Sequence, residues 1–234
     1  MRLKALCLLF ALISCTESLA KLPEATRHCT KPGLFAFTFD DGVTKNYPEL
    51  LKVLDASDIK AALFIEGQVS ADRARLPLLI EAHKRGHEIG NHTWTHPHLT
   101  KMNIVQWDTE IGSTERLIDS VTWQARKHKF MRPPHGEYNE ALQSYLRMRG
   151  NEVVLWNIEL TGDWRKGKRA RSRAQLLSSF VHAFMKADPT KDSFILLQHD
   201  KSLASIHLIP DVAIMVRNRG FKIVPLSECL RLDK

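Results

Sequence analysis

The chain has 234 residues, of which 44% are hydrophobic and 26% are charged, a balance typical of a folded globular protein and not of a disordered or fibrous one. No apolar run reaches the roughly 18–20 residues that a membrane-spanning helix needs, so a transmembrane segment is not predicted. The formal net charge is +8, and an anionic partner therefore has to be considered from the start.

The beginning of the chain predicts an export signal. Arg2 and Lys4 give a positive start, residues 5–13 form a short apolar stretch, and Ser18-Leu19-Ala20 offers a small-x-small cleavage site. We therefore expect residues 1–20 to be a signal peptide and residues 21–234 to form one domain. The alternatives are a buried first helix and a lipoprotein signal that leaves a lipid-anchored Cys15.

The cysteine content favours one disulfide in the exported protein. The sequence contains four cysteines, and cleavage after residue 20 removes Cys7 and Cys15. Cys29 and Cys229 remain near the two ends of the mature chain. An even pair in an exported protein is typical of a disulfide, with two buried free thiols as the alternative.

Short β-rich runs alternate with helical patterns along the mature chain. The pattern predicts strands at 34–39, 61–65, 87–90, 129–132, 152–156, 193–198 and 221–224. It predicts helices near 46–56, 73–85, 101–119, 139–149, 173–187 and 206–219. Strands that alternate with helices of this length indicate βαβ units and a parallel sheet. The strand count favours an α/β fold with an incomplete barrel, and an open doubly wound sheet is the alternative.

Chemically active side chains follow four of the predicted strands. The segments at these strand ends are Asp40-Asp41-Gly42, Asn91-His92, Arg132-Pro133-Pro134-His135 and Gln198-His199-Asp200. In parallel α/β folds, functional groups gather at the carboxyl ends of the strands. We therefore expect these acids, histidines and arginine to share one site.

The pair His92 and His96 has the spacing of a metal site, because a helical turn would place both imidazoles on one face. Asp40 and Asp41 alone are typical of a solvated turn, although a turn beginning at Gly42 can bring both into one site. Two histidines with one carboxylate leave positions open for water and substrate. The sequence has no nucleophile elbow, phosphate loop or dinucleotide fingerprint, which disfavours serine hydrolases, NTPases and dehydrogenases.

Five segments in order resemble the motifs of polysaccharide deacetylases, the NodB homology domain of carbohydrate esterase family four. They are Thr38-Phe39-Asp40-Asp41-Gly42, His92-Thr93-Trp94-Thr95-His96, Arg132-Pro133-Pro134-His135-Gly136, Asp163-Trp164 and Leu197-Gln198-His199. The resemblance covers about residues 30–230, and segments 86–91 and 137–139 are most similar to chitin deacetylases. It implies a distorted (β/α)7 barrel in a single NodB-like domain.

The resemblance also implies the central chemistry. Asp41, His92 and His96 would bind a divalent metal ion, Zn²⁺ or alternatively Co²⁺. Asp40 would act as the general base for the attacking water, and His199, as imidazolium, would protonate the leaving amine.

Further residues would support these groups. Arg132 would orient the base, Asp163 would keep the acid charged and aimed, and the backbone N–H of His135 would help to bind the oxyanion. The family often has tyrosine at position 135, a difference that leaves the backbone donor in place. Three side chains would contact the substrate: Trp164, Leu197 and Tyr138.

The implied function is a secreted hydrolase that removes N-acetyl groups from N-acetylglucosamine residues of chitin or chitooligosaccharides and releases acetate. A peptidoglycan N-acetylglucosamine deacetylase and a catalytically silent carbohydrate-binding relative are the alternatives. We expect a monomer in an extracellular or cell-wall location. Chitin or another N-acetylglucosamine polymer would be its partner, and nucleic acid would not.

The segment 165–173 contains six basic residues in nine. An export signal and the lack of a known nucleic-acid-binding motif argue against nucleic acid. The segment either borders the substrate groove, meets anionic wall polymers, or is a solvated loop.

Overall fold

A computed structural model of the chain describes residues 24–123 and 128–232, and the signal peptide expected at 1–20 lies outside the described residues. Within them, no helix has both the length and the apolar character that a bilayer crossing requires. The strands are β1 (Leu34–Gly42), β2 (Ala62–Ile65), β3 (Glu88–Asn91), β4 (Lys129–Met131), β5 (Asn151–Val153), β6 (Ile158–Glu159), β7 (Phe194–His199) and β8 (Lys222–Ile223). The α-helices are α1 (Tyr47–Ala56), α2 (Gly67–Ser70), α3 (Leu76–Lys84), α4 (Ile104–Val121), α5 (Glu140–Met148), α6 (Arg173–Phe184), α7 (Leu203–Ile206), α8 (Ile209–Asn218) and α9 (Leu226–Leu230).

The described strands form one sheet in which every neighbouring pair is parallel. The main path runs β5-β4-β3-β2-β1-β7-β6, and the short β8 pairs with the beginning of β1. No described pairing joins β5 to β6, so the seven strands of this path curl into a half-barrel that stays open. The prediction of a single α/β domain with an incomplete barrel is confirmed.

The observed elements differ from the predicted ones in the short segments. β6 is not predicted from the sequence, because two residues are too few to show strand periodicity. The strand predicted at 152–156 ends earlier, at Val153, and the one predicted at 221–224 is the two-residue β8. The helices α2, α7 and α9 have only four or five residues and are likewise not predicted.

The starts of the longer helices follow from local sequence. α1, α3 and α8 each carry a proline in the first turn, where a missing N–H costs no hydrogen bond. α4 and α6 begin with capping boxes, in which Asn103 pairs with Gln106 and Ser172 pairs with Gln175. These N-terminal residues determine where each helix begins and where the preceding loop ends.

The two faces of β1 have different roles. Alternate residues point to opposite sides of a strand, and the helix-covered side takes Phe35, Phe37 and Phe39 into the main hydrophobic cluster. The other side faces the interior of the half-barrel and takes Ala36, Thr38 and Asp40. Polar groups therefore line the interior at the carboxyl end of a strand that is otherwise apolar.

The predicted disulfide between Cys29 and Cys229 is present, with the two sulfurs 2.20 Å apart. Both cysteines are buried, and the backbone N–H of Thr30 donates to the carbonyl of Cys229 at 2.9 Å. The bond ties the segment before β1 to α9, and so joins the two ends of the described chain.

Replacing both cysteines by serine is expected to lower the free energy of unfolding by up to about 5 kcal/mol, because the bond closes a loop of 200 residues in the unfolded chain. The measurement is urea denaturation of the variant and of the wild-type protein. The oxidised wild type treated with a reductant is the control, and it should lose the same stability. Equal midpoints for all three samples would contradict the expectation.

Candidate active site

The two candidate proton-transfer groups lie side by side on neighbouring strands. In the parallel register of β1 and β7, Asp40 is paired with His199. Asp41 has a φ of 66°, which interrupts the alternation of side chains at the end of β1. Asp40 and Asp41 consequently face one pocket, although neighbours on a regular strand point to opposite sides.

Arg132 is the polar centre of the half-barrel interior. Its side chain is fully buried and stacks over Phe64, with Cζ 4.1 Å from the ring centroid. Its Nη1 donates to Asp40 Oδ1 at 2.7 Å and to Thr38 Oγ1 at 2.8 Å. Its other nitrogens donate to backbone carbonyls after β5, at 3.0 and 3.1 Å. Arg132 therefore fixes the position of the Asp40 carboxylate and balances its charge.

Three potential metal ligands converge beside this ion pair. One donor atom from each of Asp41, His92 and His96 lies within 4.8 Å of the others. Asp41 Oδ1 is 3.5 Å from Nε2 of each histidine. Nδ1 of His92 donates to the carbonyl of Arg132 at 2.7 Å, which leaves Nε2 as the nitrogen directed toward the carboxylate.

The two histidines come together on a loop and not on a helical turn, which corrects the basis of the sequence prediction. Thr93 and His96 have φ values of 70° and 59°, outside the helical region. Glu110 of α4 holds the loop by accepting from the backbone N–H groups of residues 94 and 95, at 3.0 and 2.8 Å. Asn91 Oδ1 accepts from the backbone of Thr93 at 2.8 Å. Asn91 and Glu110 are supporting residues that spacing alone did not identify.

Asp163 orients the imidazole of His199. Nδ1 of His199 donates to Asp163 Oδ1 at 2.7 Å, and its backbone N–H donates to Oδ2 at 2.8 Å. Ser205 also donates to Oδ2, at 2.8 Å. Burial alone would lower the pKa of His199, but the hydrogen bond and charge of Asp163, helped by the two carboxylates of β1, raise it to about 9. His199 is therefore positively charged at neutral pH.

Lys201 is a residue of the site that the sequence analysis did not identify. Its Nζ donates to Asp41 Oδ2 at 2.6 Å and lies 3.5 Å from Glu66 Oε1. Burial would raise the pKa of Asp41, but the charges of His92, His199 and Lys201 lower it, so Asp41 is a carboxylate. A lysine two residues after a histidine has no distinctive motif, and only the fold brings it to the site.

A pocket of about 480 Å³ lies at these strand ends, and its volume is within the usual range of ligand sites. Its lining includes the two aspartates of β1, the three histidines 92, 96 and 199, and Lys201. Two of the three predicted substrate contacts, Trp164 and Leu197, line it, as does His135. Tyr138 does not line it and packs against the hydrophobic cluster of α4 and α5. The pocket also has five lining residues outside the predicted set: Gly136, Trp156, Glu159, Lys166 and Lys201.

Comparison with known proteins places the chain among carbohydrate deacetylases. The sequence model of the polysaccharide deacetylase family matches residues 27–154. A chitin deacetylase of Colletotrichum lindemuthianum is 27% identical over 206 residues, which cover 86% of this chain and 81% of that protein. A peptidoglycan-N-acetylglucosamine deacetylase of Bacillus cereus is 33% identical over 132 residues, which cover 56% of this chain and 46% of that protein.

The fold agrees with these sequence matches. The structure of the chitin deacetylase from Colletotrichum lindemuthianum superimposes with a TM-score of 0.77 at 23% identity, over 88% of this chain and 91% of that one. The family model spans more than half of the present sequence and includes the strand ends that carry Asp40, His92 and Arg132. This protein therefore belongs to the polysaccharide deacetylase family.

Proposed function

We propose that the protein is a secreted, metal-dependent deacetylase that removes N-acetyl groups from N-acetylglucosamine residues of chitin or chitooligosaccharides. The observation that carries this proposal is the meeting, in one pocket, of an arginine-paired carboxylate, a carboxylate-paired imidazolium and an Asp-His-His donor set. Amide hydrolysis needs a base and an acid at the same pH, and two groups with opposite partners provide both.

The donor set fits a divalent cation. Oδ1 of Asp41 is buried and has no hydrogen-bond partner among the described residues, an arrangement that a ligated cation would satisfy. One carboxylate and two imidazoles are typical of Zn²⁺ sites that keep a position open. Zn²⁺ or Co²⁺ bound by Asp41, His92 and His96 would acidify a water molecule and polarise the acetyl carbonyl.

The remaining steps belong to the chain's own side chains. Asp40, held by Arg132, accepts the proton of the attacking water. His199, held by Asp163, gives its Nε2 proton to the departing amine. The backbone N–H of His135 is the proposed donor to the developing oxyanion. The indoles of Trp156 and Trp164 supply apolar faces for the sugar ring and the acetyl methyl.

One feature favours chitin over peptidoglycan as the substrate, namely that the segments 86–91 and 137–139, beside the second and third motifs, resemble those of chitin deacetylases. The predicted signal peptide and the disulfide support export of the protein to the medium or the cell wall, with lipid anchoring at Cys15 as the alternative.

Acetate release tests the proposal directly. The purified protein is incubated with acetylated chitohexaose or with peptidoglycan, in the presence of zinc and in the presence of a chelator. We expect acetate from chitohexaose that the chelator abolishes. Release from peptidoglycan alone would favour the alternative substrate, and release from neither would indicate a silent carbohydrate-binding relative.

Asp163→Asn is expected to move the alkaline limb of the pH–activity profile to lower pH. Protonated His199 is the active form, and its raised pKa of about 9 keeps it protonated at neutral pH. Asparagine retains a hydrogen-bond acceptor but removes the negative charge that raises this pKa. The measurement is kcat/KM from about pH 6 to about pH 10. Ser205→Ala is the control, since it removes a neutral partner of Asp163 and should leave the limb in place.

A further inference from the structure

The basic segment 165–173 divides into three parts in the structure. Arg173 forms an ion pair with Asp211, and Lys166 lines the candidate active-site pocket. The other four basic residues line a second groove and form no ion pair with any described residue: Arg165, Lys168, Arg169 and Arg171. Their charges are thus available to an external anion.

The second groove, which we name the anion groove, has a volume of about 940 Å³. Its other wall is α6, which contributes the polar side chains of Gln175, Ser178 and Ser179. Among the described residues that line it there is no acidic side chain, and the one aromatic ring is the imidazole of His182. The groove therefore offers positive charge and hydroxyl or amide groups to an anion.

Two of the arginines are held together over Gly162. Gly162 is buried, with a φ of +82°, and a Cβ at this position would lie 3.1 Å from Nε of Arg165 and 3.1 Å from Nε of Arg171. The two Nε atoms are therefore separated by no more than twice that distance. Like charges at this separation repel each other, and an oxyanion between them would relieve the repulsion.

We propose that the anion groove binds the sulfate or carboxylate groups of an acidic polysaccharide. Guanidinium groups bind such planar or tetrahedral oxyanions through paired N–H donors. The hydroxyl and amide groups of α6 are suited to the neighbouring sugar hydroxyls. Binding of an anion in the groove does not depend on the proposed deacetylation, but the choice of a polysaccharide as the ligand rests in part on that proposed function.

Two observations favour a polysaccharide over a nucleic acid. None of the described residues that line the groove is a Phe, Tyr or Trp, the large rings on which the bases of single strands usually stack. The groove also adjoins the candidate active-site pocket, the proposed site of the sugar substrate, because Arg165 Cζ lies 5.5 Å from the ring of Trp164, which lines that pocket and is 52% exposed. Trp164 of the pocket and Arg165 of the groove are consecutive residues, so one glycan chain can contact both sites.

The test compares the affinity of the purified protein for heparin, which carries sulfate, and for hyaluronan, which carries only carboxylate. Arg165→Gln/Arg171→Gln is the test variant, and Arg73→Gln/Arg147→Gln is the control that removes the same charge from exposed arginines elsewhere. We expect the test variant to bind about tenfold more weakly and the slope of log K against log salt to fall by about two. The control should differ from wild type by less than about twofold.

The comparison of the two polymers identifies the bound group. Higher affinity for heparin than for hyaluronan indicates that the groove binds sulfate, and equal affinity indicates that it binds carboxylate. Equal losses in the test and control variants would overturn the proposal, because net charge alone would then explain binding. Single-stranded DNA bound as tightly as heparin through the same arginines would overturn the choice of a polysaccharide, as would a lack of binding to both polymers. Lys168→Gln/Arg169→Gln, in an exposed turn, repeats the test if the first variant fails to fold.

Discussion

Asp40→Asn and His199→Ala are each expected to lower kcat on an acetylated chitooligomer by about 10²- to 10⁴-fold, the usual contribution of one general base or acid. Asp40 loses the ability to accept a proton when its carboxylate becomes an amide, and alanine at position 199 removes the proton donor to the amine. Neither residue is among the three convergent donors Asp41, His92 and His96, so the metal content of both variants should equal that of the wild type.

The structure offers a matched control for each change. Asp211→Asn replaces an exposed carboxylate on α8, and His207→Ala replaces an exposed imidazole that contacts Glu49. Both should retain kcat within about twofold, because surface ion pairs contribute little. A kcat near the wild-type value in Asp40→Asn or His199→Ala, at normal metal content, would overturn the assigned roles.

The stability of Asp40→Asn has to be measured with its activity. Arg132 is fully buried, and the loss of its carboxylate partner leaves a buried charge without compensation. Breaking such a pair costs about 3–5 kcal/mol, although the retained amide oxygen can still accept from the guanidinium. The kinetic assay therefore belongs at a temperature where urea denaturation shows the variant to be folded. The double variant Asp40→Asn/His199→Ala should lose little more than either single variant, because the two groups act in one reaction.

The alternation of strands and helices predicted a parallel α/β fold and favoured an incomplete barrel, with an open doubly wound sheet as the alternative. Parallel strands explain why Asp40, His92 and His199 meet. The local backbone conformation at the site could not be predicted from the sequence. Asp41 faces the pocket because its φ is 66°, and the sequence Asp-Asp-Gly does not distinguish this conformation from an ordinary turn. β6 is too short for its periodicity to be visible, yet it sets the start of the segment that carries Asp163.

Two supporting contacts were hidden for a related reason, since they join segments that are separate in the sequence. Glu110 reaches the loop at Thr95 from a helix that begins nine residues later, at Ile104. Lys201 meets Asp41 across 160 residues. Tyr138 adjoins the third motif, but its ring packs against a hydrophobic cluster and away from the pocket lining. Tertiary packing decides such contacts, and sequence spacing does not.

His92→Ala and His96→Ala are expected to lower the affinity for Zn²⁺ by more than about 100-fold. Removal of a residue that only hydrogen-bonds to a metal ligand already costs up to about 100-fold, and these changes remove a ligand itself. Each change removes one of the three donors that lie within 4.8 Å of one another. The affinity is measured by competition with a chelating dye, so that the result does not depend on turnover. His207→Ala is again the matched control and should bind zinc as the wild type does.

Lys201→Met should change zinc affinity in the opposite direction. The ammonium group donates to Asp41 and lies near Glu66, so it neutralises negative charge that would otherwise attract a dication. Removing one positive charge a few ångströms from the donor set should raise the affinity by about tenfold even with the screening of bulk water. Lys186→Met, at an exposed position on the surface, should leave it unchanged. A fall in the zinc affinity of Lys201→Met would contradict this expectation. It would mean that the hydrogen bond from Lys201 positions the Asp41 carboxylate for the cation, and that this effect outweighs the repulsion between the two positive charges.

Unaltered zinc affinity in His92→Ala or His96→Ala would contradict the assignment of the donor set, because the metal would then bind away from these residues.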